Sequence, residues 1–229
     1  DQRKAFATVA DSSYGGKVVV EADVTPQAPA GADWKTCGIA VINDMNNYWF
    51  LSFTEFPNKD NSKHLIEFNE MLDGKWQANR NGETALSDLG PSKGATWSTG
   101  TTYRMKIEMT ADGVKAAISK AGEVIFQQGF KFEAGRKAVR QGTPAMISQA
   151  WDCLYDNVTV SVADTAAVPE TAIHRRIAIP KSAILPGEYE YKDDFAKYEN
   201  EHLPPSPWKC SSFFWEIKEG QLHSADKDK

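Results

Sequence analysis

Little in this chain points to a metal framework, a membrane span or a nucleic-acid surface. Its 229 residues include three cysteines and four histidines, scattered along the chain. Cys37, Cys153 and Cys210 form no CxxC unit, which sets aside a zinc framework. Three free thiols is the simpler reading of them; one disulfide plus one free thiol stays open. No apolar run approaches the roughly 18 residues of a membrane span, so no membrane partner is expected. Positive charge is not in excess: 26 Lys and Arg stand against 31 Asp and Glu, a net charge of −5, with a pI near 5.5. That balance argues against nucleic acid as a partner. Gly-rich phosphate loops, a Ser-His-Asp order and HExxH are all missing. So is any capped segment with a 3.6-residue apolar period, and helix should be short and peripheral.

What is abundant is alternation. Tyr103, Met105, Ile107 and Met109 point one way, and Arg104, Lys106 and Glu108 the other. That period of two is a half-buried strand. Asp112-Gly113 supplies the positive φ angles of a tight hairpin; Val114, Ala116 and Ile118 then alternate with Lys115, Ala117 and Ser119. A second turn at Lys120-Ala121-Gly122 leads into Glu123–Phe126, so this stretch reads as a three-stranded meander. Further strands are expected over Lys4–Ala10, Lys17–Val24, Lys35–Asn43, Asn47–Glu55, His64–Leu72, Lys75–Asn79, Ala145–Ser148 and Asp152–Val162. Asn47–Glu55 is apolar on both faces near its start. Many short strands joined by Gly turns mean a sandwich or barrel.

After Val162 the composition changes. Ala163–Glu188 is rich in Ala, Pro and Thr and reads as an extended linker. Tyr189–Lys229 follows, holding a hairpin from Phe213 to Ser224 over Glu219-Gly220. An isolated hairpin is marginal in water. Trp215, Ile217 and Leu222 each gain about 1.5–3 kcal/mol on burial, so the segment should complete the sandwich of Asp1–Val162, in its own molecule or a neighbour.

Gly38–Phe53 (GIAVINDMNNYWFLSF) and Leu154–Val162 (LYDNVTVSV) resemble the concanavalin A-like, LamG-like jelly rolls of carbohydrate-active proteins. The resemblance covers most of Lys4–Val162 and implies an all-β, two-sheet antiparallel jelly-roll sandwich. That family usually opens with Asp-Phe, a Trp and a Trp-containing hairpin. Here Asp194-Phe195, Trp208 and Trp215–Leu222 stand at the C-terminus. Circular permutation, strand exchange with a neighbouring molecule through Tyr189–Lys229, and a truncated second copy each account for that order. The resemblance and a start at Asp1 without methionine carry the expectation of a secreted, periplasmic or cell-surface protein.

The expected partner is an oligo- or polysaccharide. Sugars stack their C–H faces on aromatic rings, which singles out Trp49 and Trp76. Glu67 and Asn69 share the strand face opposite Ile66, Phe68 and Leu72, so they face outward, free to hydrogen-bond sugar hydroxyls. Asp156 shares parity with Val158, Val160 and Val162 and is expected to point inward. A buried carboxylate needs a partner, and related folds often carry a structural calcium there, which takes oxygen ligands. A glycoside hydrolase or polysaccharide lyase is the alternative activity, with His64 as a base. Glycosidic cleavage, however, needs two carboxylates flanking one bond. Glu67 and Glu70 lie on opposite strand faces, and an ExDxxE-type signature is missing. A structural module that self-associates through its tail is the third reading.

Overall fold

A computed structural model describes residues 4–9, 14–29, 34–56, 64–77, 87–88, 95–163, 189–201, 204, 208–210 and 215–224. The expected linker beyond Ala163, Phe213 and the last five residues lie outside the described set. Among the described residues there are sixteen strands and no helix. They are β1 (Ala5–Val9), β2 (Lys17–Pro29), β3 (Lys35–Asp44), β4 (Asn47–Glu55), β5 (His64–Leu72), β6 (Lys75–Trp76), β7 (Ser87–Asp88) and β8 (Tyr103–Thr110). Then come β9 (Gly113–Lys120), β10 (Glu123–Lys131), β11 (Thr143–Gln149), β12 (Trp151–Ala163), β13 (Tyr189–Asp193), β14 (Trp208–Cys210), β15 (Trp215–Lys218) and β16 (Gln221–Ser224).

The strands form two antiparallel sheets, as the alternation predicts. One has seven strands in the order β14-β1-β11-β3-β4-β5-β6. The other has nine, β15-β16-β12-β2-β8-β9-β10-β7, with β13 also paired to β12. Between them lies one core. The seven-stranded sheet supplies Cys37, Ile39, Val41, Trp49, Leu51, Phe53 and Phe68, and the other supplies Val18, Val20, Met105, Ile107, Val114 and Val160. Each such side chain gains about 1.5–3 kcal/mol from leaving water. Gly38 marks the tightest approach: a Cβ there would collide with the backbone carbonyl oxygen of Leu51.

The described tail strands pair within their own chain and join both sheets. β14 sets Trp208 opposite Val9 and Cys210 opposite Ala7. β16 sets Leu222 opposite Tyr155, and β13 sets Asp193 opposite Val158. Trp215, Ile217 and Leu222 are buried. Where β13 ends, the chain builds a polar knot around Asp193, whose side chain is wholly buried. Its carboxylate accepts from Tyr191 Oη at 2.6 Å, Tyr198 Oη at 2.8 Å, Trp208 Nε1 at 2.9 Å and the Phe195 amide at 3.1 Å. Burial pushes its pKa up, but these donors outweigh burial together and hold it below the ordinary value.

One expectation fails on β12. Trp151, Cys153 and Tyr155 point inward, and so do Val158, Val160 and Val162. The two runs differ in parity because the register with β2 shifts between Asp156 and Thr159, where Asn157 takes a positive φ of 47°. A bulge adds one residue and flips everything beyond it to the other face. Asp156 is therefore half-buried rather than inward. Its Oδ1 accepts from the Asn157 amide at 2.7 Å and its Oδ2 from Gln221 Nε2 at 3.2 Å. Among the described residues no group of three or more His, Cys, Asp or Glu is placed to hold a metal ion. Both carboxylate oxygens of Asp156 are thus taken up by donors of the fold.

Candidate functional site

The outer face of the seven-stranded sheet carries apolar side chains where a solvated face would carry polar ones. Phe6, Ala40, Ile42, Tyr48, Phe50, Met71, Ala145 and Ile147 are buried there as a second cluster, separate from the core. β4 is the reason: its even positions, Tyr48 and Phe50, lie on this face, and its odd positions fill the core. Strand register arranges the face in rows. Gln149, Thr36, Thr54 and Leu65 form one row; Phe6, Ile147, Gly38, Ser52 and Glu67 the next. Thr8, Ala145, Ala40, Phe50 and Asn69 make the third, and Thr143, Ile42, Tyr48, Met71 and Trp76 the fourth.

The face is concave. Phe6 and Tyr48 lie three strand spacings apart, about 14 Å in a flat sheet, yet their ring centroids are 6.4 Å apart. Lys4, just before β1, reaches Tyr48 Oη at 2.6 Å. Its ammonium sits 4.6 Å from the ring of Trp76, on the far strand β6. Small residues in the middle, Gly38, Ala40 and Ala145, let the sheet curl, and larger ones close over the fourth row. Crowding depresses the Lys4 pKa to about 8, because burial disfavours its charge. Burial likewise raises the Tyr48 phenol well above its ordinary value.

Several polar groups on this face are unmatched among the described residues. Thr36 Oγ1 and Gln149 Nε2 are buried with no hydrogen-bond partner among the described residues, side by side in the first row. Ser52 and Thr54 bond each other at 3.0 Å. Glu67 and Asn69 are half-buried, with no hydrogen bond or ion pair among the described residues. Leaving a buried polar atom unpaired costs on the order of 1–3 kcal/mol, so natural interiors rarely do it. Two indole N–H groups in the inner core, of Trp151 and Trp215, also lack a hydrogen bond among the described residues. Those rings lie against Trp97 at 5.3 Å and Tyr155 at 5.7 Å, the setting of weak N–H to π contacts.

Of the residues that sequence singles out, three stand on this face: Glu67, Asn69 and Trp76, the last 46% exposed. Trp49 does not. Its ring is wholly buried on the inner face, 5.1 Å from Phe68 and 5.3 Å from Phe130, and its Nε1 donates to the Val139 carbonyl at 2.9 Å. A ring enclosed this way cannot serve as a stacking platform. His64 is also engaged: Nδ1 meets the Trp97 carbonyl at 2.9 Å, Nε2 meets Glu55 Oε2 at 3.2 Å, and the ring stacks on Trp97. Glu70 faces inward, as parity requires, and accepts from the Val139 amide at 2.6 Å. Thr36, Gln149 and Tyr48 are site residues that sequence reasoning passes over. So is Trp34, 38% exposed against Phe56 where β3 begins. Pattern reading of β3 and β11 scores a Thr or Gln as solvated, and nothing local reveals that the sheet curls over them.

A second concavity, of about 860 Å³, lies on the nine-stranded sheet beside the β12 bulge. Arg104 dominates it, bonded to Glu21, Asp23 and the Asn157 carbonyl. Glu21 is shared with Lys106, at 3.1 Å, so these charges are paired within the sheet.

No family model matches the chain, and no curated protein matches it in sequence. Solved structures resemble it in fold alone. A carbohydrate-binding module, CBM66, from Bacillus subtilis is 13% identical, with 69% of this chain and 81% of that one covered and a TM-score of 0.44. Scytalido-glutamic peptidase, solved with a peptide-based transition state analog, is 11% identical over 71% of this chain and 81% of its own, with a TM-score of 0.44. CG-16, a homodimeric agglutinin from chicken liver, is 14% identical over 65% of this chain and 94% of its own, with a TM-score of 0.37.

Proposed function

We propose that the protein binds an oligo- or polysaccharide in the concave face of the seven-stranded sheet, as a non-catalytic recognition domain. The observation that carries this reading is the set of unmatched polar groups there: Thr36, Gln149, Glu67 and Asn69. A polyhydroxylated ligand supplies donors and acceptors to all four at once. Exposed Trp76, at the end of the fourth row, and Trp34, two residues before Thr36, add platforms for the apolar faces of sugar rings. Within the four rows Glu67 is the one carboxylate, and hydrolysis would need a second flanking the same bond. A secreted or cell-surface setting suits such a ligand.

Glycan-array screening followed by calorimetric titration tests the proposal. Trp76→Ala should weaken binding by roughly 3- to 10-fold, the worth of one aromatic contact. Affinity that survives both Trp76→Ala and Glu67→Ala unchanged overturns the site. Sugar release or an unsaturated product would replace the binding reading with the enzymatic one.

A further inference from the structure

Two of the three thiols lie in the layer between the sheets. β3 and β12 belong to different sheets, which ordinarily stack about 10 Å apart. Yet they approach within 8 Å, Cα to Cα. Beside them, at Ala150 (φ 50°), the chain leaves β11 in one sheet and enters β12 in the other. Ser148 Oγ spans that corner to the Trp151 carbonyl at 2.6 Å. Cys37 lies opposite Ser148 in β3, and Cys153 is the next inward residue after Trp151. Tyr155, two residues on, fixes the alignment. Its hydroxyl accepts from the Gly38 amide at 3.2 Å and donates to the Ile147 carbonyl at 2.9 Å. Both thiols are buried, at 1% and 0% exposure, and the Cys153 thiol lies close enough to raise the pKa of Cys37 further above its ordinary value, after burial itself.

We propose that Cys37 and Cys153 form an intersheet disulfide when the chain folds in the presence of a small-molecule disulfide such as oxidised glutathione. One thiolate attacks the oxidant, releasing a small thiol and leaving a mixed disulfide. The second thiolate then displaces the remaining small thiol. Two cysteine protons and two electrons end on two equivalents of small thiol. In the closed fold this exchange is slow, since burial, and next the thiol of Cys153, hold the Cys37 thiol well above its ordinary pKa. The bond therefore forms before the sheets close, and it pins them beneath Thr36 and Gly38. Cys210 is no competitor: it pairs with Ala7 on β14, three strand spacings or about 14 Å from Cys37.

The test is to refold the full chain from guanidinium with glutathione disulfide and, in parallel, with reductant. The oxidised product should weigh about 2 Da less, show one titratable thiol per denatured chain instead of three, and give a peptide linking Cys37 to Cys153. Cys210→Ser should keep the mass loss and show no titratable thiol. Three titratable thiols after oxidative refolding overturn the proposal, as does a link that includes Cys210. So does a chain that regains its β-sheet circular dichroism only under reductant.

Discussion

Asp193 and Glu67 are both carboxylates borne on β-strands, and the fold treats them in opposite ways. Asp193 is wholly buried and receives four hydrogen bonds, from two phenols, an indole and an amide. Glu67 is half-buried on a concave sheet and has no such partner among the described residues. Trp49 and Trp76 divide the same way, one enclosed by phenylalanines with its N–H bonded, the other 46% exposed. A polar or aromatic group that serves the fold arrives with its partners. One that serves a ligand is held in place without them, at a cost in stability that binding returns.

The largest break of this comparison is Trp49→Ala. Removing a fully enclosed aromatic should cost about 3–5 kcal/mol, read as a large fall in the denaturant midpoint. The variant would also lose binding, though only by unfolding, so any fraction that stays folded should bind as wild type does.

Asp193→Asn comes next. Hydrogen bonds to a charged group are worth about 1.5–3 kcal/mol each, and losing the charge should weaken several, for a net cost near 3 kcal/mol. The sign with pH follows from the depressed pKa. The unfolded carboxyl titrates near 3.9 and the folded one lower, so the stabilisation is complete above about pH 5. It fades as pH falls through the folded value. The stability gap between wild type and Asp193→Asn should therefore shrink below about pH 4. A gap that stays constant down to pH 2 would show that shape rather than charge holds the knot.

Glu67→Gln probes the other side. It should leave the melting temperature within the noise of a surface change, while lowering glycan affinity about 10-fold, the worth of one charge-assisted hydrogen bond. A stability loss above 1 kcal/mol without an affinity change would place Glu67 with Asp193.

How much of this was legible in the sequence depends on the range of the physics involved. Alternation in Tyr103–Met109 and the turn at Asp112-Gly113 are local, and those strands lie where the pattern puts them. Parity also placed Glu67 and Asn69 outward and Glu70 inward. It failed at Asp156, because a single left-handed residue, Asn157, resets the phase. An Asn can adopt that conformation at small cost, but nothing requires it to, so the bulge is written in the pairing with β2. Trp49 failed differently. A strand apolar on both faces shows that two surfaces are buried, not which ring belongs to which, and the enclosed ring turned out to be the Trp. Burial of Thr36 and Gln149 depends on the curl of seven strands, a property of the sheet that no window of sequence contains.

The smallest effect is the most diagnostic. Thr36→Val keeps the β-branched shape and removes the orphaned Oγ1. Desolvating a hydroxyl without a partner costs on the order of 1 kcal/mol in proteins, so the variant should be more stable than wild type by about that amount. Gln149→Met should act in the same direction, since Gln149 is 5% exposed and its Nε2 is unpaired. If these groups are held for a ligand, both variants should bind glycan several-fold more weakly while unfolding at higher denaturant. Opposite signs in stability and affinity are what separate a reserved polar group from a structural one, because Asp193→Asn must lose stability. If either variant is destabilised, the first row has found partners within the protein, and the unmatched face is not the binding site.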